Sequence, residues 1–507
     1  MASGSEDKSV AISPTRSHIS LAQARERFAY HKRICAYDFA ACTGCLPTRR
    51  DHRLPETESS LETLPDPASS DAETPKDISS VSEPKSPPWL TAIDKTSSPA
   101  SLQSAQSIRF QLLEEFCHSY FPLRDQDTDH MYTKLLSRDS LQPITVGMQV
   151  AVDALCLLQM GTNYRDSYLL HQAVAQYDKA LVNLQYDLSR VSDVTSNEGI
   201  LGTIYVLGFC EMFRAVSSNG HGERTHHLGL QGMLIARGPD KQYSAFAQLL
   251  LYNLRHLTAI YGAIDCKRVP LRDAAWKRCA AMTSRLTTEL SDLVLEVTDR
   301  LAAHKPRDRH TLTNALLPWS MLESRLQSWL VRWMRSFEHL PYRTVKATAF
   351  THFTLHTIGC PNVFPRAYEF PSFAISSAQT TYWIMSLQVK QKILEIDSIC
   401  DDRPLRSRLQ ALTDEATECA THLCQSVAWM TLPQHGSCGI MRASGPLHYA
   451  VRWFDKLKDW RRVAWCGKVK SSIESCGMVS PYSGNFVSDN ELSVQGVDDG
   501  PGPRWEG

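Results

Sequence analysis

Cys35, Cys42 and Cys45 are the only cysteines in the first hundred residues of this 507-residue chain. Thiolates are the usual ligands of structural zinc, and a closed site takes four ligands. Three sulfurs leave the tetrahedron open unless His31 or His52 completes it, and no basic stretch lies between them. Ordinary free thiols account for the same residues. His352 and His356 stand four apart in THFTLH. On a helix they would share a face as zinc-ligand pairs do, but Phe353 stands where a zinc protease carries its glutamate, and no third ligand is evident. Glu418, Cys419, His422 and Cys424 fall on adjacent turns. A cysteine–histidine nucleophile needs hydrogen-bonding geometry and an orienting group, and spacing alone supplies neither. Asp125, Asp127 and Asp129 resemble the start of a calcium loop, but His130 and Leu136 replace the required Gly and Glu. Asp401-Asp402 is followed by Leu405, not by the third aspartate of a magnesium-binding Asp-rich motif. No phosphate-cradling loop, GxSxG elbow or dinucleotide fingerprint is present. No catalytic, cofactor-binding or metal-ligating residue is therefore assigned.

The elements that would position these side chains read as helices. Phe110, Leu113, Phe116 and Tyr120 recur at three to four residues, as do Leu170, Ala173, Tyr177, Leu181, Leu184 and Leu188. Further helices are predicted at 148–160, 245–260, 274–303, 319–340, 375–397, 406–430 and 445–476. Alternating strand patterns are nearly absent, so the fold class is all-α. The segment 173–184 looks like half of a tetratricopeptide repeat, but no second copy follows at the 34-residue period. Trp319, Trp329, Trp333 and Phe337 lie at helical spacing, and the last three share a face that reads as core or as the lining of a small-molecule pocket.

Residues 199–239 hold the strongest pattern. An apolar arm from Ile200 to Phe213 is followed by a polar break from Ser217 to Gly222. A second arm carries Leu228, Leu230, Met233 and Leu234 beside Gly229 and Gly232 and stops at Gly238-Pro239. This is a helical hairpin whose first arm is apolar all round and so buried. The small residues of the second arm are expected to let another helix approach, and Gly then Pro is a proper stop.

Four segments follow from composition. Residues 1–50 lean basic, a remnant of a DNA-binding region being one reading. Residues 51–107 are rich in Pro, Ser, Thr, Asp and Glu and too poor in large apolar residues to offset ordering entropy, which predicts a disordered linker. Residues 108–476 form the helical body, and 477–507 read as a flexible tail. Lys plus Arg and Asp plus Glu both number 54, so no global basic field recruits nucleic acid or an anionic membrane. The amino terminus lacks a signal-peptide plan, and the fifteen scattered cysteines read as reduced thiols of an intracellular protein. The longest apolar run is short of a membrane span, so no membrane partner is expected.

The hairpin also resembles the core of the fungal-specific transcription factor domain, the helical regulatory region downstream of the zinc binuclear cluster in many fungal activators. His227-Leu228-Gly229-Leu230-Gln231-Gly232 through Arg237-Gly238-Pro239 are similar to its "H-L-x-G-A-x-x-L-I-x-A-R-G-P" element. Leu112 to Tyr120 with Pro122 resembles its opening helix. Tyr168, Leu170, Tyr177, Ala180 and Leu181 resemble its "A-x-x-Y-x-x-A-L" helix. Phe364-Pro365, Tyr368, Phe370-Pro371 and Tyr382-Trp383 resemble its "Y-P" to "Y-W" element, and Pro446-Leu447, Ala450 and Trp460 to Trp465 its closing helices.

The resemblance implies a nuclear regulator of a metabolic or secondary-metabolite gene cluster, not an enzyme. It implies coregulators or transcriptional machinery as partners, homo- or heterodimerisation, and an effector pocket for which the tryptophan stripe is the candidate. The binuclear cluster itself needs six thiolates shared by two zinc ions. Arg33-Ile34-Cys35-Ala36-Tyr37 is similar to the exit from such a cluster, with the first five cysteines missing. No cofactor is expected otherwise, and direct DNA binding is expected only if an upstream exon restores those five. The alternative is a non-DNA-binding co-regulator or inhibitor that competes for dimer partners. An enzyme on a helical scaffold would require His352, His356 and a carboxylate to converge.

Overall fold

The computed structural model describes residues 99–121, 145–217, 221–279, 285–303, 309–353, 363–399 and 406–479. Cys35, Cys42, Cys45, His31 and His52 lie outside the described residues, as do Pro122, the aspartates 125, 127 and 129, His356, Asp401 and Asp402.

Among the described residues there are thirteen α-helices: α1 (Pro99–Tyr120), α2 (Val146–Tyr164), α3 (Ser167–Arg190), α4 (Glu198–Cys210), α5 (His221–Arg237), α6 (Ala245–Asp265), α7 (Ala274–Cys279), α8 (Arg285–Ala303), α9 (Arg309–Arg335), α10 (Phe373–Ile399), α11 (Arg406–Met430), α12 (Gly436–Lys456) and α13 (Trp460–Ser475). The all-α class holds. The one sheet pairs two four-residue strands, β1 (Arg343–Lys346) and β2 (Arg366–Glu369), antiparallel with Arg343 opposite Glu369. Strands this short offer no alternation for a sequence reading to find.

Local chemistry sets the helix starts. The Thr145 hydroxyl accepts the Met148 amide at the head of α2, and the Asp166 carboxylate accepts those of Tyr168 and Leu169 at the head of α3. Asn197, Ser244 and Asp459 do the same for α4, α6 and α13. Each such cap is worth about 1 kcal/mol.

Several predicted bounds shift. Helix α1 begins at Pro99, ahead of Ile108. The 274–303 span contains two helices, α7 and α8, with 280–284 outside the described residues. The 319–340 helix runs from Arg309 to Arg335. The 445–476 span breaks into α12 and α13, because Lys458 takes a left-handed turn (φ 58°) and Asp459 then caps a new helix. No Gly or Pro marks that corner. On α3 the buried line is Leu169, Ala173, Tyr177, Ala180 and Leu184, one residue to the side of the predicted face.

Neighbours in sequence pack as neighbours in space: α2 with α3 and α4, α4 with α5, α6 with α8, and α9 through α13 in order. Helix α1 packs on both α2 and α12 and so ties the early helices to the late ones. The chain after α13 also returns, since Val479 donates its amide to the Met212 carbonyl at 2.8 Å and Arg214 donates to that of Gly477 at 2.9 Å. The first residues of the segment read as tail are thus bound to the turn after α4. No helix among the described residues is long and apolar enough to cross a membrane.

Gly436, at the head of α12, has φ 57° and ψ −161°, a region that only glycine enters without strain. A Cβ there would also run into the carbonyls of Ser119 and Tyr120 at the end of α1. Gly436→Ala is expected to lower unfolding stability by roughly 2 kcal/mol or more. Urea denaturation checks this, and an unshifted midpoint would show that the α1–α12 junction is not a stability determinant.

Candidate functional site

The hairpin predicted from 199–239 is present. Its first arm, α4, is buried at every position from Gly199 to Cys210. The second, α5, ends as expected: Gly238 has φ 85° and its amide donates to the Leu234 carbonyl at 3.1 Å. Arg237 then reaches the Gln242 carbonyl at 2.6 Å and lies over the Tyr243 ring. One expectation fails. A Cβ added at Gly232 would meet nothing within 4 Å, so that glycine does not serve close helix approach. Leu228 is likewise exposed. The close contact is at Gly222 instead, where the Glu211 carboxylate occupies the space a Cβ would fill.

That contact opens a polar cluster that the sequence reading missed. Glu211 caps the end of α4 and is delivered by the turn to the first turn of α5, where Glu223 also sits. Helix N-termini carry unpaired amides and partial positive charge, which favours both carboxylates there. Tyr177 on α3 donates its hydroxyl to Glu211, and Tyr261 on α6 donates to both Glu223 oxygens. His226 Nε2 lies 3.8 Å from Glu211 Oε1 and 3.5 Å from the Tyr177 hydroxyl. His227 Nδ1 lies 2.8 Å from Glu223 Oε1, one helical turn away. Beside them the Asn253 amide donates to the Tyr205 hydroxyl at 2.6 Å. The hairpin thus holds two Glu–His–Tyr sets, each tyrosine supplied by a different helix. All six side chains are buried. Burial first, and the Glu211 charge second, push the neighbouring Cys210 thiol well above its ordinary range.

A carboxylate–histidine–tyrosine set has the groups for proton transfer, but these are sealed beneath α3 and α6. The bonds from Tyr177 to Glu211 and from Tyr261 to Glu223 tie α3 and α6 to the hairpin. The only local sequence cue was Glu223 four residues before His227. Nothing local announced Tyr177 or Tyr261.

The residues singled out by spacing are dispersed. On α11, His422 Nδ1 lies 2.6 Å from the Tyr368 hydroxyl and Nε2 lies 3.4 Å from Glu418 Oε1. Its ring sits against Trp383 and Tyr368, and burial, opposed by Glu418, lowers its pKa. Cys419 turns away toward Ser386 and Lys390, its thiol pushed by burial up to about 11. Cys424 points elsewhere, its sulfur 3.7 Å from that of Cys466. His422 and Cys419 both face α10 but with different partners, and Cys424 faces Cys466. His352 is in a turn, not on a helix, with Nε2 3.5 Å from the Thr431 hydroxyl. His356, its partner in that spacing, lies outside the described residues. Among the described residues no group of three or more metal-ligating side chains converges.

Trp319, Trp329 and Trp333 are core residues. Trp329 stacks on Trp333 at 5.3 Å and on Tyr382 at 5.9 Å, and its indole donates to the Leu286 carbonyl. Phe337 meets Trp333 edge-on at 4.8 Å. Lys390, nearly fully buried, is held between Glu323 on α9 and Glu415 on α11. Burial opposes its charge, but the two carboxylates outweigh it and keep its pKa raised.

No protein-family model matches the chain, and no curated protein or solved structure is significantly similar to it. What the geometry defines is an all-α protein with a buried polar cluster between its 199–239 hairpin and two neighbouring helices.

Removing the Tyr261 hydroxyl leaves the buried Glu223 carboxylate short of a donor. Tyr261→Phe is expected to cost about 1.5–3 kcal/mol, the usual range for a hydrogen bond to a charged group. Chemical denaturation measures it, and a loss near zero would mean that the cluster does not hold the hairpin. A second expectation concerns pH. Burial, helped by Arg452, takes His448 from 6.5 down to about 3. Between those values the unfolded chain binds a proton that the folded chain refuses. The contribution of His448 to stability is therefore complete above pH 6.5 and is lost as the pH drops toward 3, in parallel with that of His256, which burial takes down to about 4. His448→Asn should flatten that fall in a pH series of melting curves, and an unchanged slope would contradict it.

Proposed function

We propose that this chain is a fungal transcription regulator whose helical body recognises other macromolecules and transforms none. The gene set it controls would be a metabolic or secondary-metabolite cluster, and its place of action the nucleus. One observation carries the reading. The residues that resemble the family's central element, His227 through Arg237, lie on one helix that stops at the left-handed Gly238 before Pro239. His227 of that element is buried beside Glu223, which accepts the Tyr261 hydroxyl. Polar groups sealed from solvent suit a binding scaffold and offer a substrate nothing to react with.

Coregulators or the transcription machinery are the partners this reading favours, with zinc and direct DNA contact reserved for a chain that carries a full six-cysteine cluster. The test is to tether the full chain to a heterologous DNA-binding domain upstream of a reporter. A change in reporter output of ~10-fold or more, the equivalent of about 1.4 kcal/mol in an occupancy equilibrium, is expected. Transcript profiles of a strain lacking the gene should shift as a linked cluster. An inert tethered chain together with unaltered transcripts would reject the proposal. Zinc analysis and salt-dependent DNA binding of the purified chain then separate a DNA reader from a co-regulator.

A further inference from the structure

The outer face of α9 carries an apolar seam left exposed among the described residues. Leu317, Met321 and Val331 are 67%, 58% and 45% exposed. With Ser324, Ser328 and Arg335 they follow a spacing of four, three, four, three and four. At about 100° per residue those six positions fall within roughly 80° of arc, a narrow stripe of the kind that seats one other helix. The stretch from Leu317 to Val331 is roughly 21 Å long.

The middle of the seam makes no polar demand on an occupant. The Ser324 hydroxyl donates to the Ser320 carbonyl at 3.0 Å, and that of Ser328 donates to the Ser324 carbonyl at 2.8 Å. Both side chains are small and internally satisfied, so an incoming backbone can come close there. The two ends offer aliphatic contact.

Charge selects the occupant. Arg325 and Arg332 stand seven residues apart along one edge of the seam, and Arg335 closes its end. The exposed surface of α9 from Leu317 to Arg335 carries no acidic residue, and the half-buried Glu323 is turned to Lys390. Glu296 and Glu289 on α8 pair with Arg325 and Arg332 and so hold the two guanidiniums in place. A guanidinium has five N–H donors, enough to serve a second carboxylate. A second copy of this chain fits poorly. Antiparallel, it would set the Arg325–Arg332 edge against itself; parallel, it would place Arg335 on Arg335. Like charges brought together on desolvation oppose such pairing.

We propose that α9 is a docking surface for an amphipathic helix of another protein, one with an aliphatic seam and glutamate or aspartate along the edge facing Arg325 and Arg332. The site is independent of the hairpin cluster, and it stands or falls apart from the transcriptional reading.

The test uses the purified full chain and a labelled synthetic helix of four heptads, leucine at the seam positions and glutamate at the flanking ones, followed by fluorescence anisotropy. The same helix with lysine flanks is the control. The glutamate helix is expected to bind ~10-fold or more tightly than the lysine helix, with affinity falling as salt rises. Met321→Asp and, separately, Val331→Asp should each lose ~10-fold or more of that affinity, the scale of a buried apolar contact removed. Both positions are exposed, so circular dichroism should show unchanged helix content. Arg332→Glu should reverse the preference between the two helices. Equal affinity for both helices overturns the proposal, as does indifference to Met321→Asp and Val331→Asp in chains that remain folded. Self-association abolished by Met321→Asp in sedimentation assigns the seam to a second copy and overturns it. So does Met321-dependent binding to phosphatidylserine vesicles without peptide binding.

Discussion

Two buried carboxylates at the start of one helix organise the first half of this fold. A buried carboxyl left without hydrogen-bond partners is costly, so Glu211 and Glu223 are tolerable only where donors await them. The first turn of α5 supplies the positive end of a helix, and Tyr177 and Tyr261 supply hydroxyl donors. Because the donors come from α3 and α6, the requirement to satisfy two charges fixes how four helices meet. Gly222 belongs to the same constraint, since a side chain there would displace the Glu211 carboxylate.

The second half is held differently. From α9 to α13 the contacts are largely aromatic: Trp329 with Trp333 and Tyr382, Tyr368 with Trp383, Phe370 and Phe373 with Trp429. Large rings bury much apolar area per residue and pack edge to face. Lys390, clamped by Glu323 and Glu415, is a charged side chain there that is nearly fully buried. The halves are joined by α8 on α9 and α10, by α1 on α12 and by Met478 against Phe213. Cohesion is thus placed inside, and the features able to engage other molecules, such as the seam of α9, are left on helix exteriors.

Much of the element inventory was legible from residues three and four apart. The predicted helix at 406–430 matches α11 in both bounds, and the arms of the hairpin, with the stop at Gly238, follow the pattern of Ile200 to Pro239. The break at Lys458 was not legible, because a lysine in a left-handed turn has no sequence mark and is held there by α12 and α13 on either side. The strands were too short to alternate. The cysteine–histidine pairing read from Cys419, His422 and Cys424 did not form, because His422 is engaged by Tyr368 and Glu418 while Cys424 lies against Cys466. His352 lost its helical face because the chain turns there.

The chain by itself determined that it would be helical, that α4 would be buried, that α5 would stop at Gly238, and that no familiar catalytic motif would be found. These follow from local rules: the helical period, capping chemistry and the residue types each reaction requires. Only the tertiary structure decided that Glu211 would meet Tyr177 and that Glu223 would meet Tyr261, across 34 and 38 residues. It also decided that the tryptophans of α9 turn inward while Leu317, Met321 and Val331 face solvent. The reason is physical. A helix's own period says which residues share a face, but which face is covered depends on the packing of distant helices, and that is a property of the whole chain.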